Sequence, residues 1–90
     1  YQIEAWGSAY SVGAHRIKID TTGGTILGSS EVAGSGQASK SHACGRVTVT
    51  TGNVDFWHLV QNSIPSNGLG FPSLLGGAAE IYAQIKITKV

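Results

Sequence analysis

The stretch Glu80–Val90 constrains this chain more than any other. Ile81, Ala83, Ile85 and Ile87 fall on one face of an extended strand, and Tyr82, Gln84, Lys86 and Thr88 fall on the other. Strict period-two alternation is the mark of a strand with one buried face and one face toward water or a partner. The chain ends on this strand, which is expected to dock into a sheet rather than trail as a free tail. No window places apolar residues at i, i+3, i+4 and i+7 over three turns, so the expectation is an all-β chain with essentially no helix.

The other segments follow the same rule. Tyr1–Trp6 alternates and reads as a strand that Gly7-Ser8 breaks. His15–Asp20 alternates with Ile17 and Ile19 inward and Arg16 and Lys18 outward. Thr21-Thr22-Gly23-Gly24 is a turn, and Thr25–Ser29 returns from it. Ser30–Lys40, rich in Gly, Ser and Ala, reads as a loop. Ser41–Thr51 is the next strand, with Val47 and Val49 on one face, and Gly52-Asn53 turns the chain. Val54–Gln61 follows, with Val54, Phe56, His58 and Val60 opposite Asp55, Trp57, Leu59 and Gln61. Asn62–Ala79 holds both prolines, Pro65 and Pro72, and is too long for a plain hairpin. Short strands parted by turn chemistry predict one antiparallel β-sandwich or jelly-roll domain over residues 1–90.

Ninety residues form a single small domain. A chain of this length buries only about 60–65% of the surface it exposes when unfolded, so one copy is expected to be marginal. Cys44 is the one cysteine, which excludes an internal disulfide. Self-association is the remaining common way to stabilise so small a β domain. The absence of methionine reads as a processed chain or part of a longer protein.

Charge excludes further classes. Six basic and five acidic residues leave a formal net charge of +1. Arg16, Lys18, Lys40, Arg46, Lys86 and Lys89 are scattered, not gathered into the basic stripe that nucleic-acid binding requires. No apolar run approaches the ~20 residues of a membrane-spanning helix, and no membrane insertion is expected.

The six segments Ala9–Arg16, Ile26–Glu31, Ala43–Val49, His58–Gln61, Asn67–Gly70 and Glu80–Tyr82, taken in order, resemble a module at the C-terminal tip of phage tail fibre and spike proteins and their prophage copies. The resemblance implies a homotrimeric jelly roll like the tumour-necrosis-factor and C1q knobs, on the virion surface, attached to the rest of a longer fibre or virion protein. That family has another strand or two ahead of a segment like Tyr1–Trp6, so the chain reads as lacking the start of its domain. The function implied is non-catalytic attachment to a host-surface glycan or protein. The alternatives are a capsid-decoration or fibre-trimerisation domain without a receptor, and a free bacterial lectin.

Residue chemistry points the same way. Glu4, Asp20, Glu31, Asp55 and Glu80 stand singly, with no close carboxylate pair for acid–base catalysis. Ser29, Ser35 and Ser63 lack a nucleophile-elbow frame. Cys44, mid-strand beside Gly45, reads as a small buried apolar residue. Together these predict a non-enzyme. His15, His42 and His58 lack metal-ligand spacing, and neither a metal nor a cofactor is expected. Threefold symmetry offers one special position, an axis where three copies of a histidine meet. His58, sharing a face with Phe56, is the candidate there, and Tyr82 joins them as a candidate interface residue.

Sugar recognition needs an aromatic platform with amides beside it. Trp57 with Gln61 and Asn62 is the leading group, and Trp6 with Tyr10 is the second. The loops Ser30–Lys40 and Asn62–Ala79 would carry recognition, with Asn67 as a receptor-contacting candidate. Attachment of this kind is weak per site and gains strength from three copies per fibre.

Overall fold

The computed structural model describes residues 1–49, 51–64, 68–70 and 82–90. Seven strands follow in chain order: β1 (Gln2–Tyr10), β2 (Gly13–Thr21), β3 (Gly24–Leu27), β4 (Glu31–Ala33), β5 (Ala38–Arg46), β6 (Asp55–Val60) and β7 (Ala83–Thr88). All pairings are antiparallel, and no helix occurs among the described residues. The expected all-β sandwich is therefore the fold.

One sheet runs β5-β1-β7, with Ala5 between Ala43 and Ile85. The other is built on β2, which pairs with β6 along one edge and with β3 and then β4 along the opposite edge. Alternation puts Ile3 and Ala5 of β1, Ile17 and Ile19 of β2, Ile26 of β3 and Ala43 of β5 into one buried cluster, against which Val47 and Phe56 pack. A second cluster joins Ala9, Val12 and Ala33 with Ile64. The largest fully buried side chains are aliphatic, Ile3, Ile17, Ile19 and Val12 among them. Each stabilises by about 1.5–3 kcal/mol, a modest core.

Several segments differ from the sequence expectation. Gly7-Ser8 does not break β1, which continues to Tyr10. Gly7 sits where the sheets come closest: a Cβ there would lie 2.7 Å from Ile17 Cγ2. A mid-strand glycine here marks close approach, not a turn. Ser30–Lys40 is not a plain loop, since it contains β4 and the first residues of β5. The strand expected at Ser41–Thr51 lies earlier, at Ala38–Arg46, and ends before Val47. Cys44 is exposed rather than buried, because its parity in β5 is that of the outward residues His42 and Arg46. Every residue of β7 is exposed, including Ile85 (41%) and Ile87 (47%) on the face expected to be covered. Among the described residues that strand lies at the edge of its sheet.

The two sheets are stitched along the β5 side. Between β3 and β4 the chain leaves β2 at Gly28–Ser30, and Ile17 loses a ladder acceptor for its N–H. Ser41, fully buried on β5, replaces it: Ile17 N–H donates to Ser41 Oγ (3.1 Å), and Ser41 Oγ–H donates to the Ser29 carbonyl (2.6 Å). Ser29 N–H donates to the His42 carbonyl (2.8 Å), and His42 N–H donates to Ser29 Oγ (3.0 Å). Arg16 secures the same corner by donating from Nε and Nη2 to the Gly28 carbonyl. Replacing Ser41 by Ala strands a buried donor and a buried acceptor, each worth about 1–3 kcal/mol. Urea unfolding of Ser41→Ala is expected to show a loss of about 2–3 kcal/mol; a loss below ~0.5 kcal/mol would show that the stitch is dispensable.

Candidate functional site

The outward face of the β5-β1-β7 sheet carries an open depression of about 690 Å³, lined by Glu4, Trp6, His42, Cys44, Gln84 and Lys86 together with Ala5, Ala43 and Ile85. Register explains the grouping. Trp6 of β1 stands between His42 of β5 and Gln84 of β7, and Glu4 stands between Cys44 and Lys86. Six side chains from three strands thereby converge, although Glu4 and Lys86 are 82 positions apart along the chain.

Trp6 is held as a platform. Its indole N–H donates to Gln84 Oε1 at 2.9 Å, and Lys40 Nζ lies 4.3 Å from the ring centroid. The first contact fixes the ring plane, and the second attracts an ammonium to the π face. Around the half-buried ring stand a carboxylate, an imidazole, an amide and an ammonium, all exposed. An apolar ring face bordered by several donors and acceptors is chemistry suited to a polyhydroxylated ring.

Tyr10, the expected companion of Trp6, lies further along the same outward face and is half-buried. Between them Ser8 is covered, its hydroxyl donating to the Leu69 and Tyr82 carbonyls, while Tyr10 N–H donates to the Gly68 carbonyl. Tyr82 is half-buried there and packs against Gly70, where a Cβ would meet its ring at 2.5 Å. Residues 68–70 and Tyr82 thus close one end of the face and separate Tyr10 from the depression.

The leading sequence group does not converge in the same way. Trp57 is 50% exposed on the outward face of β6, with Lys18 Nζ 5.4 Å from its ring centroid. Gln61 is four residues on, about 13 Å along an extended chain. Its Oε1 accepts Ala14 N–H, and its own N–H, like that of Asn62, continues the ladder to β2. The Gln61 amide oxygen is therefore engaged within the chain. Asn67 lies outside the described residues.

Phe56 and His58 point between the sheets. Phe56 packs on the core cluster. His58 Nε2 lies 2.9 Å from His15 Nδ1, and His15 Nε2 lies 2.7 Å from Ser39 Oγ. Strands β6, β2 and β5 are thus bridged by two imidazoles and a hydroxyl, and His58 has its partner within the chain. The sequence separations of 43 and 24 residues hid this cluster; the only available signal was that His15, Ile17 and Ile19 share a parity. Among the described residues no group of three or more His, Cys, Asp or Glu side chains is arranged to hold a metal ion.

Burial pushes both histidines below the ordinary value of 6.5, with Glu31 partly opposing the effect at His15 and the neighbouring His15 reinforcing it at His58. One proton shared between the facing nitrogens satisfies the contact, whereas two protons set donor against donor. Above about pH 6.5 the imidazoles are neutral whether the chain is folded or not. Below it the unfolded chain takes up protons that the folded one resists, so stability declines as pH falls through the depressed folded values. Thermal melts from pH 7.5 to 4.5 are expected to show this decline, and His58→Asn to flatten it; an unchanged slope in the variant would assign the decline to the carboxylates.

No protein-family model, curated protein or solved structure matches the chain. The likeness to phage knobs rests on the six ordered sequence segments alone.

Proposed function

We propose that this chain is a non-catalytic attachment module, the knob of a homotrimeric phage fibre or spike on the virion surface, and that it holds a host-surface glycan on the Trp6 face of its β5-β1-β7 sheet. The observation that carries the reading is the Trp6 platform, fixed by Gln84 and bordered by Glu4, His42 and Lys86. A sugar ring lies on the indole through its C–H face. Lys40 moves to the rim as it arrives and, with Gln84 and Lys86, donates to hydroxyls, while Glu4 accepts. The open, shallow shape suits a terminal or branching sugar held weakly, and three copies per fibre raise the effective strength.

A second reading, an assembly domain without a receptor, is favoured by one observation. On the side of the sandwich opposite the Ser41 stitch, Ile85, Ile87 and Val54 are exposed. A glycan array on the recombinant chain separates the two. A hit that Trp6→Ala weakens about tenfold or more per site, with strand content retained by circular dichroism, is the expected result. A blank array from a trimer of the measured mass would move the chain to assembly alone. A hit from a monomer would favour a free lectin.

A further inference from the structure

The side opposite the Ser41 stitch carries two strands that match one another. β6 and β7 are each six residues long, and among the described residues each pairs along one edge only, β6 with β2 and β7 with β1. Among the described residues nothing pairs with the other edge of either strand, and such an edge is a template for a further strand.

Charge marks the partners. Asp55 of β6 stands directly across from Asp20, a like-charge pair. Lys18 is already engaged by Asp20 at 3.2 Å, and the Thr25 hydroxyl also donates to Asp20. Asp55 has no ion pair among the described residues, and neither has Lys89, which follows β7. Both are exposed.

An antiparallel register that sets Asp55 against Lys89 also sets Trp57 against Ile87 and Leu59 against Ile85. Those four apolar side chains are 50%, 47%, 42% and 41% exposed in the single chain. A slip of one residue turns each set to the wrong face. A slip of two sets Asp55 against Ile87 and Trp57 against Ile85 and leaves Lys89 without its acid. One register therefore answers the unpaired charges and the uncovered apolar residues together. On the reverse face it places Phe56, His58 and Val60 beside Thr88, Lys86 and Gln84.

We infer that a second copy of this chain adds its β7 to the β6 edge in that register. The contact is heterologous: each subunit offers β6 to one neighbour and β7 to the other, and a trimer forms when the rotation between neighbours closes the third contact onto the first. The inference deepens the homotrimer reading above by naming the surface that builds it.

The test is sedimentation velocity of the wild-type chain and of charge swaps at the two exposed positions. Asp55→Lys and Lys89→Asp each exchange an attraction for a repulsion, so each is expected to weaken association by about tenfold. The double variant carrying both swaps is expected to restore it. A trimer indifferent to either single swap would overturn the edge contact while leaving the trimer standing. A wild-type chain that sediments as a monomer at all concentrations would overturn both.

Discussion

The buried hydroxyl of Ser41 is the contact on which the sandwich turns. β2 cannot be paired along its whole length on the β3 side, because the chain leaves it at Gly28 and rejoins only at Glu31. The Ile17 amide at that gap lies in the centre of the core, where no water reaches it and an unpaired donor is costly. Ser41 answers from the other sheet, and in doing so fixes the spacing and register between the sheets. A larger residue at 41 would lose the contact, and so would a longer excursion at 28–30. Aliphatic burial around Ile3, Ile17 and Ile19 supplies more free energy but tolerates sliding, whereas the hydroxyl has one position.

What was legible in the sequence was local. The alternation of Ile17 and Ile19, the Thr-Thr-Gly-Gly turn and the opposed faces of β6 all appear as read, because strand parity and turn chemistry act over a few residues. What was hidden depends on cross-strand neighbours. Gly7 looks like a breaker until Ile17 is seen to press against it. Val32 of β4 is 69% exposed and its neighbours are small or polar, so its three-residue strand is defined by pairing to β2 rather than by any apolar pattern. Cys44 was given the wrong side because β5 contains small residues on both faces and therefore shows no contrast from which to read parity.

The same distinction separates the two tryptophans. Trp57 stands near polar residues in sequence, which made it the stronger candidate, yet four residues along a strand is a long distance and Gln61 is occupied by Ala14. Trp6 has Gly7-Ser8 after it and little to recommend it locally. Its neighbours arrive sideways, His42 from β5 and Gln84 from β7, at the interstrand spacing of about 5 Å. In a sheet the chemistry that can converge on a small ligand is chosen by register, and register over 36 to 78 residues is not written in any single segment.

The sandwich is consequently asymmetric, and the asymmetry links its stability to its assembly. On one side Ser29, Ser41 and His42 close the sheets with backbone and hydroxyl bonds, which need no apolar cover. On the other lies a groove of about 320 Å³ among Tyr1, Ile3, Val49, Val54 and Ile87. Closing that side within one chain would require Ile85 and Ile87 to meet residues on β6, yet β6 turns Phe56 and His58 inward to serve the core and the histidine pair. Trp57 and Leu59, of the opposite parity on β6, face outward and are exposed. Each chain displays one of each set, which is why the proposed contact pairs β6 of one copy with β7 of another. In the proposed register Gln84 and Lys86, on the Trp6 side of β7, stand beside the neighbour's Val60 and His58, so a ring built through β6 and β7 would border the platform on its β7 side and leave His42, on β5, at the far side.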